Sequence, residues 1–428
     1  MHAQSDWSQN RPFDRVLTNC RVIDPANQID GRCDVAIRNG VIAAVGPGLA
    51  HQPSRETLDL GGALVTPGLI DVHVHVYEWV TNFGVPADAA GVHSGVTTVI
   101  DQGSAGAWTF GGFNAFVIEP AQTDVRSFVS INLAGALKGG MEGQLLHNPA
   151  FVRIDEIVAL AAAHPGRVAG IKCHGESGSQ SYWDLDVLRL AVNAGEASGL
   201  PLYMHTGELF PVDESHRPDP DTVAARALAL LRPGDMAAHV YSCMPDGIMG
   251  RSDRVPDYLT EARDRGVLFD LGHGINLSFR IARAMMAAGI YPDTLGSDVH
   301  GDFTSYHDYS ILDYSLLGGV NKMVALGMPL NDAIARVTLN PAKVLQDPCI
   351  GSLTPGMPAN ITVLDKIEGD WSYRDAEGEE LNVTSRWVPS LVFRAGQRIE
   401  PDCGLLADLL SPAARPRGIT RSMRHAQR

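Results

Sequence analysis

Residues 68–76 read GLIDVHVHV. The run is short, apolar and strand-like, broken only by one aspartate and two histidines. His73 and His75 are two apart, so on a strand both imidazoles point to the same side. The run also marks a change of grammar. Before it lie short alternating segments, RVLTNCRVID, DVAIRNGVIAAVG and ETLDLGGALVTPG. After it, apolar strand-like runs alternate with amphipathic helix-like stretches.

Working outward from 68–76, seven further runs share its character: VTTVIDQG, SFVSINLAG, RVAGIKCHG, LPLYMHTGE, DMAAHVYS, GVLFDLGHG and DTLGSDVH. The eight end near residues 75, 102, 133, 172, 205, 240, 271 and 298, a recurrence of about 30 residues. Between them sit amphipathic pieces such as DEIVALAAAHP, DLDVLRLAVNAGEASG, VPDYLTEARDRG and SFRIARAMMAAG. Eight β–α units in sequence are the signature of an α/β fold, a parallel (β/α)8 TIM barrel. A doubly wound open sheet is the structural competitor.

The flanks read as β. RNG between two alternating runs predicts a hairpin turn. MPLNDAIARVTLNPAKVL reads as helical, and GSLTPGMPANITVLDKI and TSRWVPSLVFRAGQRI return to β grammar. The division is a flexible N-terminus (1–13), a small β-sandwich domain from both chain ends (14–65 plus 351–405), a metal-binding barrel (66–350) and a basic tail (406–428). The tail after Ser411 holds five arginines and no acid.

Composition narrows the class. The 428 residues suffice for one large domain plus a smaller one. A formal net charge of −15 argues against nucleic acid or an anionic membrane surface as main partner. The longest apolar runs fall short of the roughly 18 residues that a membrane span needs. The N-terminus has no basic segment followed by an apolar one, and the six cysteines are scattered without a CxxC pair. Both readings favour a reduced, cytoplasmic setting. G-x-S-x-G, HExxH and GxGxxG are absent, which disfavours a serine hydrolase, a helical zinc protease and a dinucleotide-dependent oxidoreductase.

Barrel active sites lie at the C-terminal ends of the strands. There the sequence offers His73 and His75 on strand one, Lys172 on strand four, His205 on strand five and His239 on strand six. His273 follows strand seven, and Asp298 ends strand eight with His300 behind it. Each alone has a bland reading: a hydrogen-bonded histidine, a surface lysine, a turn aspartate. Together they recur in register with the strands. Imidazole and carboxylate ligands suit zinc and neighbouring divalent ions. Lys172 is the oddity, because a lysine ending a buried-looking strand is costly to desolvate.

GLIDVHVHV, GIK, MHTGE, AHVYS and GSDVH resemble the amidohydrolase superfamily of metal-dependent hydrolases. LVTPGLID and GSLTPGMPANITVLD resemble its flanking β sandwich. VTTVIDQGSAG, GIK and VLFDLGHG are similar to its amidohydrolase/deacetylase branch, often called dihydroorotase-like. The resemblance implies a binuclear metal centre. His73, His75 and Asp298 would hold the more buried ion and His205 and His239 the exposed one. Lys172, as a carbamate formed with carbon dioxide, would bridge two divalent ions of the zinc type. Such a lysine must be neutral to react, and burial favours that. His174 is a rival ligand. The implied reaction is attack of metal-bound hydroxide on a carbonyl, with Asp298 as general base and then acid.

His273 and Tyr77 are candidate substrate contacts; His273 equally fits a role anchoring the GHG loop, and core or rim packing is the stronger reading of Tyr77. Asp101 and Gln102 are candidates to support the histidines. The loops GESGS and YSCMPDG are candidate active-site loops. Cys243 reads as a bland thiol. Trp79 and Phe83 offer an aromatic wall, and Arg251 and Arg254 are the arginines nearest a strand end. The expected substrate is a small N-acyl or O-acyl compound, of deacetylase type. A cyclic amide, as in dihydroorotase or hydantoinase chemistry, is the alternative, and an inactive scaffold of the same superfamily is the alternative from another class. The resemblance also allows a homo-oligomer.

Overall fold

The computed structural model describes residues 12–137, 144–209, 212–252, 254–274, 276–301 and 313–402. The N-terminal segment through residue 11 and the basic tail of residues 406–428 lie outside the described residues.

The chain opens with β1 (Phe13–Asp24), β2 (Ile29–Arg38), β3 (Val41–Gly46), β4 (Ser54–Asp59) and β5 (Leu64–Pro67). Asn39 and Gly40 both take positive φ, 52° and 77°, with Arg38 opposite Val41. That is the two-residue turn predicted from RNG, whose twist matches that of the strands it joins. β1 runs antiparallel to β2 and parallel to β4 and β5.

The second sheet comprises β6 (Leu69–Val74), β7 (Val96–Gln102), β8 (Asp124–Ser130), β9 (Val168–His174), β10 (Leu202–His205), β11 (Met236–Ala237) and β12 (Leu268–Phe269). Each strand pairs in parallel with the next, in chain order. Every residue of β6 and β7 is buried, as continuous apolar runs are when a parallel sheet is covered on both faces. The amphipathic stretches form helices Ile154–Ala163, Asp186–Ser198, Pro220–Leu228, Asp257–Asp264 and Phe279–Ala287. The Phe279–Ala287 helix starts at Ser278, whose Oγ accepts the Ile281 amide at 3.2 Å. It buries Phe279, Ile281, Ala282 and Met285, the three larger side chains worth about 1.5–3 kcal/mol each once removed from water.

Strands six to eight are shorter than their sequence runs. His239 at φ 60° and Gly272 at φ 45° turn the chain just past β11 and β12. The eighth run, 293–300, makes isolated parallel bridges instead of a continuous strand: Asp270 with Thr294 on one side and Val74 with Val299 on the other. The left-handed Asp298, φ 59°, interrupts it. Even so, the Leu271 amide donates to Thr294 O at 3.0 Å and the His75 amide to Val299 O at 3.0 Å. The segment therefore touches both β12 and β6.

β13 (Ile361–Arg374), β14 (Glu380–Arg394) and β15 (Gln397–Ile399) return to the first sheet, with Ile361–Leu364 antiparallel to Pro67–Leu64 of β5. The two chain ends thus share one β unit with its own core, including Leu17, Val35, Val65, Ile361 and Phe393. The two facing layers of a sandwich appear here as strand content only, because the eight strands hydrogen-bond as one connected sheet. The whole is a mixed α/β fold with a curled parallel sheet and a separate β-rich sheet. Among the described residues no helix is long and apolar enough to cross a membrane.

Candidate metal centre

At the C-terminal ends of the parallel strands, His73, His75 and Asp298 converge. Their ligand atoms lie within 4.8 Å of one another, a group able to hold a metal ion. Asp298 Oδ1 is 3.0 Å from His73 Nε2 and 3.5 Å from His75 Nε2. The alternation of β6 puts both imidazoles on the inner side. The Asp298 amide bonds to His73 O at 2.7 Å and brings the carboxylate beside them. Asp298 and His239 both sit in the left-handed region. A non-glycine residue is uncommon there, and functional sites hold such strain more often than other places do.

Hydrogen bonds assign the ring protons. Tyr203 OH donates to Asp270 Oδ2 at 2.6 Å, so its oxygen is left to accept from His73 Nδ1 at 2.8 Å. The lone pair of His73 Nε2 then faces Asp298 Oδ1. His239 Nδ1 lies 2.7 Å from Gly272 O and must carry its proton. His205 Nε2, 2.8 Å from Gly207 O, must do the same. Their remaining nitrogens, His239 Nε2 and His205 Nδ1, are 3.0 Å apart as two facing lone pairs. Acceptors that meet this closely repel unless a proton or cation sits with them. Burial keeps these rings from carrying the extra proton, since the pKa values of His73, His205 and His239 all fall below the ordinary histidine value. Neutral imidazoles with one nitrogen anchored are the form in which histidine binds metal. The His73, His75 and Asp298 group thus fits a metal ion, and His205 and His239 present two further unprotonated nitrogens to one another.

Lys172 is 3 % exposed, with Nζ 4.7 Å from the centroid of the Tyr203 ring. Burial pushes its pKa down to about 8, against the opposing charges of Asp298, Asp270 and Asp101. Roughly a tenth of it is then neutral at pH 7. Gly103 packs directly on it. A Cβ there would come within 2.7 Å of Lys172 Cγ, and the φ of +81° already favours glycine. Two residues on, His174 lines the same pocket, its ring centroid 5.7 Å from that of His205 and 5.3 Å from that of His147. His174 Nδ1 has no hydrogen-bond partner among the described residues. The rival-ligand reading thus keeps an available donor atom. His147 pairs with Glu176 at 3.1 Å, and the Glu176 carboxylate caps the following helical turn through the Gly178 and Ser179 amides.

Two of the sequence candidates lie elsewhere. His273 is fully buried, its Nε2 donating to Ser315 O at 3.0 Å and its Nδ1 facing Lys322 Nζ at 3.4 Å. It anchors a loop and is not brought into the pocket. Tyr77 points its hydroxyl at Thr109 O, 3.1 Å away, and packs on Phe113. Of the expected aromatic wall, Phe83 lines the pocket beside His75 at 5.1 Å, while Trp79 is 66 % exposed. Asp101 accepts the Val76 and Ser104 amides, and Ser104 Oγ lies 3.1 Å from His75 Nδ1. Gln102 lines the pocket and donates to Val72 O at 2.7 Å. Burial pushes the Cys243 thiol pKa up, which disfavours its nucleophilic thiolate form. Arg251 and Arg254 are exposed, and Arg251 pairs with Asp221.

The sequence reading missed Tyr203, Asp270, Asn276 and Asp246. Tyr203 is two residues before His205 on β10, a spacing that places both on one side and so carried a signal. Asp246 accepts the Ser177 amide (2.8 Å) and hydroxyl (2.6 Å) and the Glu208 amide (2.8 Å), which ties together the loops after β9, β10 and β11. The Tyr203→Phe protein should bind metal about 10- to 100-fold more weakly, because the hydroxyl orienting His73 is gone. Chelator competition measures this, and an unchanged affinity would mean that the ring is oriented by other contacts.

Known proteins resemble this chain in sequence and in fold. Residues 234–398 match the model of the Amidohydrolase family. A deacetylase of Brucella anthropi is 26% identical over 377 residues, 87% of this chain and 90% of that one. A deacetylase of Agrobacterium fabrum is 26% identical over 342 residues, 80% of each chain. Among solved structures, a dihydroorotase superposes with a TM-score of 0.78 at 25% identity, covering 90% of this chain and 99% of its own. An adenine deaminase gives the same TM-score at 24% identity, covering 91% of this chain and 100% of its own, a likeness of fold. The chain is thus similar to these deacetylases in sequence over most of its length and to the dihydroorotase in fold over nearly all of it, and its residues 234–398 match the Amidohydrolase family.

Proposed function

We propose that this chain is a metal-dependent hydrolase that cleaves the amide or ester bond of a small N-acyl or O-acyl compound, at a binuclear centre. His73, His75 and Asp298 would hold one divalent ion, His205 and His239 the other, and Lys172 would bridge them as a carbamate. Zinc suits these nitrogen and oxygen donors. In this reading residues 66–350 form a closed (β/α)8 barrel completed by the 293–300 segment. Residues 14–65 and 351–405 form the accompanying β domain, and the protein works in the cytoplasm. The observation that carries the metal reading is the 3.0 Å approach of His205 Nδ1 to His239 Nε2, each left unprotonated by a carbonyl on its other nitrogen.

Bound there, divalent ions supply Lewis acidity and a nucleophilic water at neutral pH. The chain's own residues do the rest. Tyr203, Gly207 O and Gly272 O fix which imidazole nitrogen is free. Asp298 Oδ1 is turned to the histidines and Oδ2 lies against Gly274. Oδ2 takes the proton of the attacking water and returns it to the leaving nitrogen or oxygen. Phe83, Ala136, Leu146 and Leu209 form an apolar wall that keeps water away and accepts the unreactive end of the substrate. Gln102 Oε1 and Asn276 Oδ1 have no partner among the described residues, so they are open to N–H or O–H groups of a substrate. Cyclic amides are the second reading, favoured by the similarity to the solved dihydroorotase.

Purified protein should carry about two divalent ions per chain by metal analysis. Screened against N-acyl amino acids, acyl esters and cyclic ureides, it should turn over one set in clear preference. Protein that cannot be reconstituted with any metal would end the proposal, and turnover of cyclic ureides alone would select the second reading.

A further inference from the structure

β13 and β14 are longer than the sheet they belong to. Their bases pair with β5 and β15, but their distal halves, from Trp371 opposite Val383 to Arg374 opposite Glu380, continue as a two-stranded arm. The tip of the arm is docked. Asp375, 5 % exposed, accepts the Phe279 amide on Oδ2 at 2.7 Å. The Ala376 amide donates to Leu277 O at 2.9 Å. Glu377 accepts from Ser278 Oγ and pairs with Arg280 at 3.1 Å, and Glu379 pairs with Arg283 at 2.7 Å.

On its other side the same segment is held by the loop after β11. The Cys243 amide donates to Asn276 O at 2.9 Å and the Ser278 amide to Tyr241 O at 3.0 Å. Residues 276–278 are thus threaded between the β11 loop and the hairpin tip. Asn276 lines the metal pocket together with Lys172 and Asp298, and it is 5 % exposed. Its amide oxygen has no hydrogen-bond partner among the described residues. A buried acceptor left unpaired is costly. Its position therefore depends on the backbone clamps on either side.

We propose that the hairpin tip Asp375–Glu379, borne by the β-rich sheet, is a positioning element of the pocket that holds segment 276–278 so that Asn276 faces the substrate. Asp375 divides its work between two oxygens. Oδ1 accepts the Glu377 and Glu379 amides at 3.0 and 2.8 Å and shapes the turn, while Oδ2 makes the latch. Asp375→Asn keeps an acceptor for the turn and sets an N–H₂ group against the Phe279 N–H.

The activity part of the test rests on the hydrolase reading. In metal-loaded protein, Asp375→Asn should raise KM about tenfold, the loss of one charge-assisted hydrogen bond, with kcat and metal content within about twofold. In an Asn276→Ala background the same change should add nothing, because residues acting through one another are not additive. Glu377→Gln, a milder loss at the same contact, should move KM the same way by less. Hydrogen exchange of the Cys243 and Ser278 amides should speed up in Asp375→Asn, a readout that needs no substrate. KM effects that add across the cycle, an unchanged KM in both tip variants, or unchanged exchange would each overturn the proposal. If no substrate is turned over, the exchange measurement still decides the latch, independently of the hydrolase reading.

Discussion

The Asp298→Asn protein is expected to fold, to take up metal and to lose about 10²–10⁴-fold in kcat, the usual contribution of a positioned acid/base. The side chains explain the split. An asparagine keeps an oxygen near the position of Oδ1, 3.0 Å from His73 Nε2, so a ligand remains. It offers no basic atom in place of Oδ2. Burial would raise the Asp298 pKa, but the surrounding imidazoles of His73, His75 and His239 outweigh it and hold the group well below the ordinary carboxylate range, a part that cations bound at the same nitrogens would take over. The carboxylate is therefore ionised and able to accept a proton throughout the neutral range. Steady-state kinetics on metal-loaded protein, with metal content measured in the same sample, checks this. Near-normal kcat with both ions bound would remove Asp298 from the proton-transfer role.

Lys172→Met should have two opposite effects. The metal-free protein should become more stable at pH 7, on the order of 3 kcal/mol. That figure follows from a pKa brought from 10.5 down to about 8 at 1.36 kcal/mol per unit. The folded state binds the lysine proton less tightly than the unfolded chain does. The cost of burying ammonium is thus fully present below pH 8 and fades as pH rises to 10.5. Stability of the metal-free wild type should climb through that window. Lys322, also pushed down to about 8 by burial, contributes the same slope to both proteins, so the difference between the two curves isolates Lys172. The second effect is loss of the proposed binuclear centre. Bicarbonate should promote metal loading in the wild type and do nothing in the variant. Denaturant melts at pH 7 and 10 and metal analysis with and without bicarbonate check the pair of effects. A variant that loads two ions as well as the wild type would transfer the bridging role away from Lys172, with His174 the nearest alternative.

Both predictions concern residues that could be read from the chain. The ends of strands one, two and five, expected near 75, 102 and 205, fall at Val74, Gln102 and His205. These strands are uniformly buried, so their apolar runs start and stop where the sheet does. Strands six, seven and eight were less legible. Their runs continue past the last ladder pair, and pairing ends where His239, Gly272 and Asp298 take positive φ, inside runs that still read as apolar. Strand seven shows the consequence. The histidine of FDLGHG reads equally as a substrate contact or as an anchor of its loop. The turn at Gly272 sends His273 toward Ser315 and Lys322 and leaves Asp270 to serve the centre through Tyr203. Tyr203 itself looks like any core tyrosine until its hydroxyl is seen to bond both His73 and Asp270.

The amino-acid sequence by itself determined the alternation of strand and helix, the β unit shared by both chain ends and the residue types at the strand ends. Apolar periodicity and strand-end chemistry are local properties, repeated often enough to be counted. Only the tertiary structure decided which imidazole nitrogens are unprotonated, that His205 and His239 face one another, and that the β-rich sheet sends Asp375 to the loop bearing Asn276. Those facts depend on which carbonyl, hydroxyl or amide lies within about 3 Å of a given atom. Partners that are neighbours only in space, such as Gly272 for His239 or Phe279 for Asp375, leave no pattern along the chain.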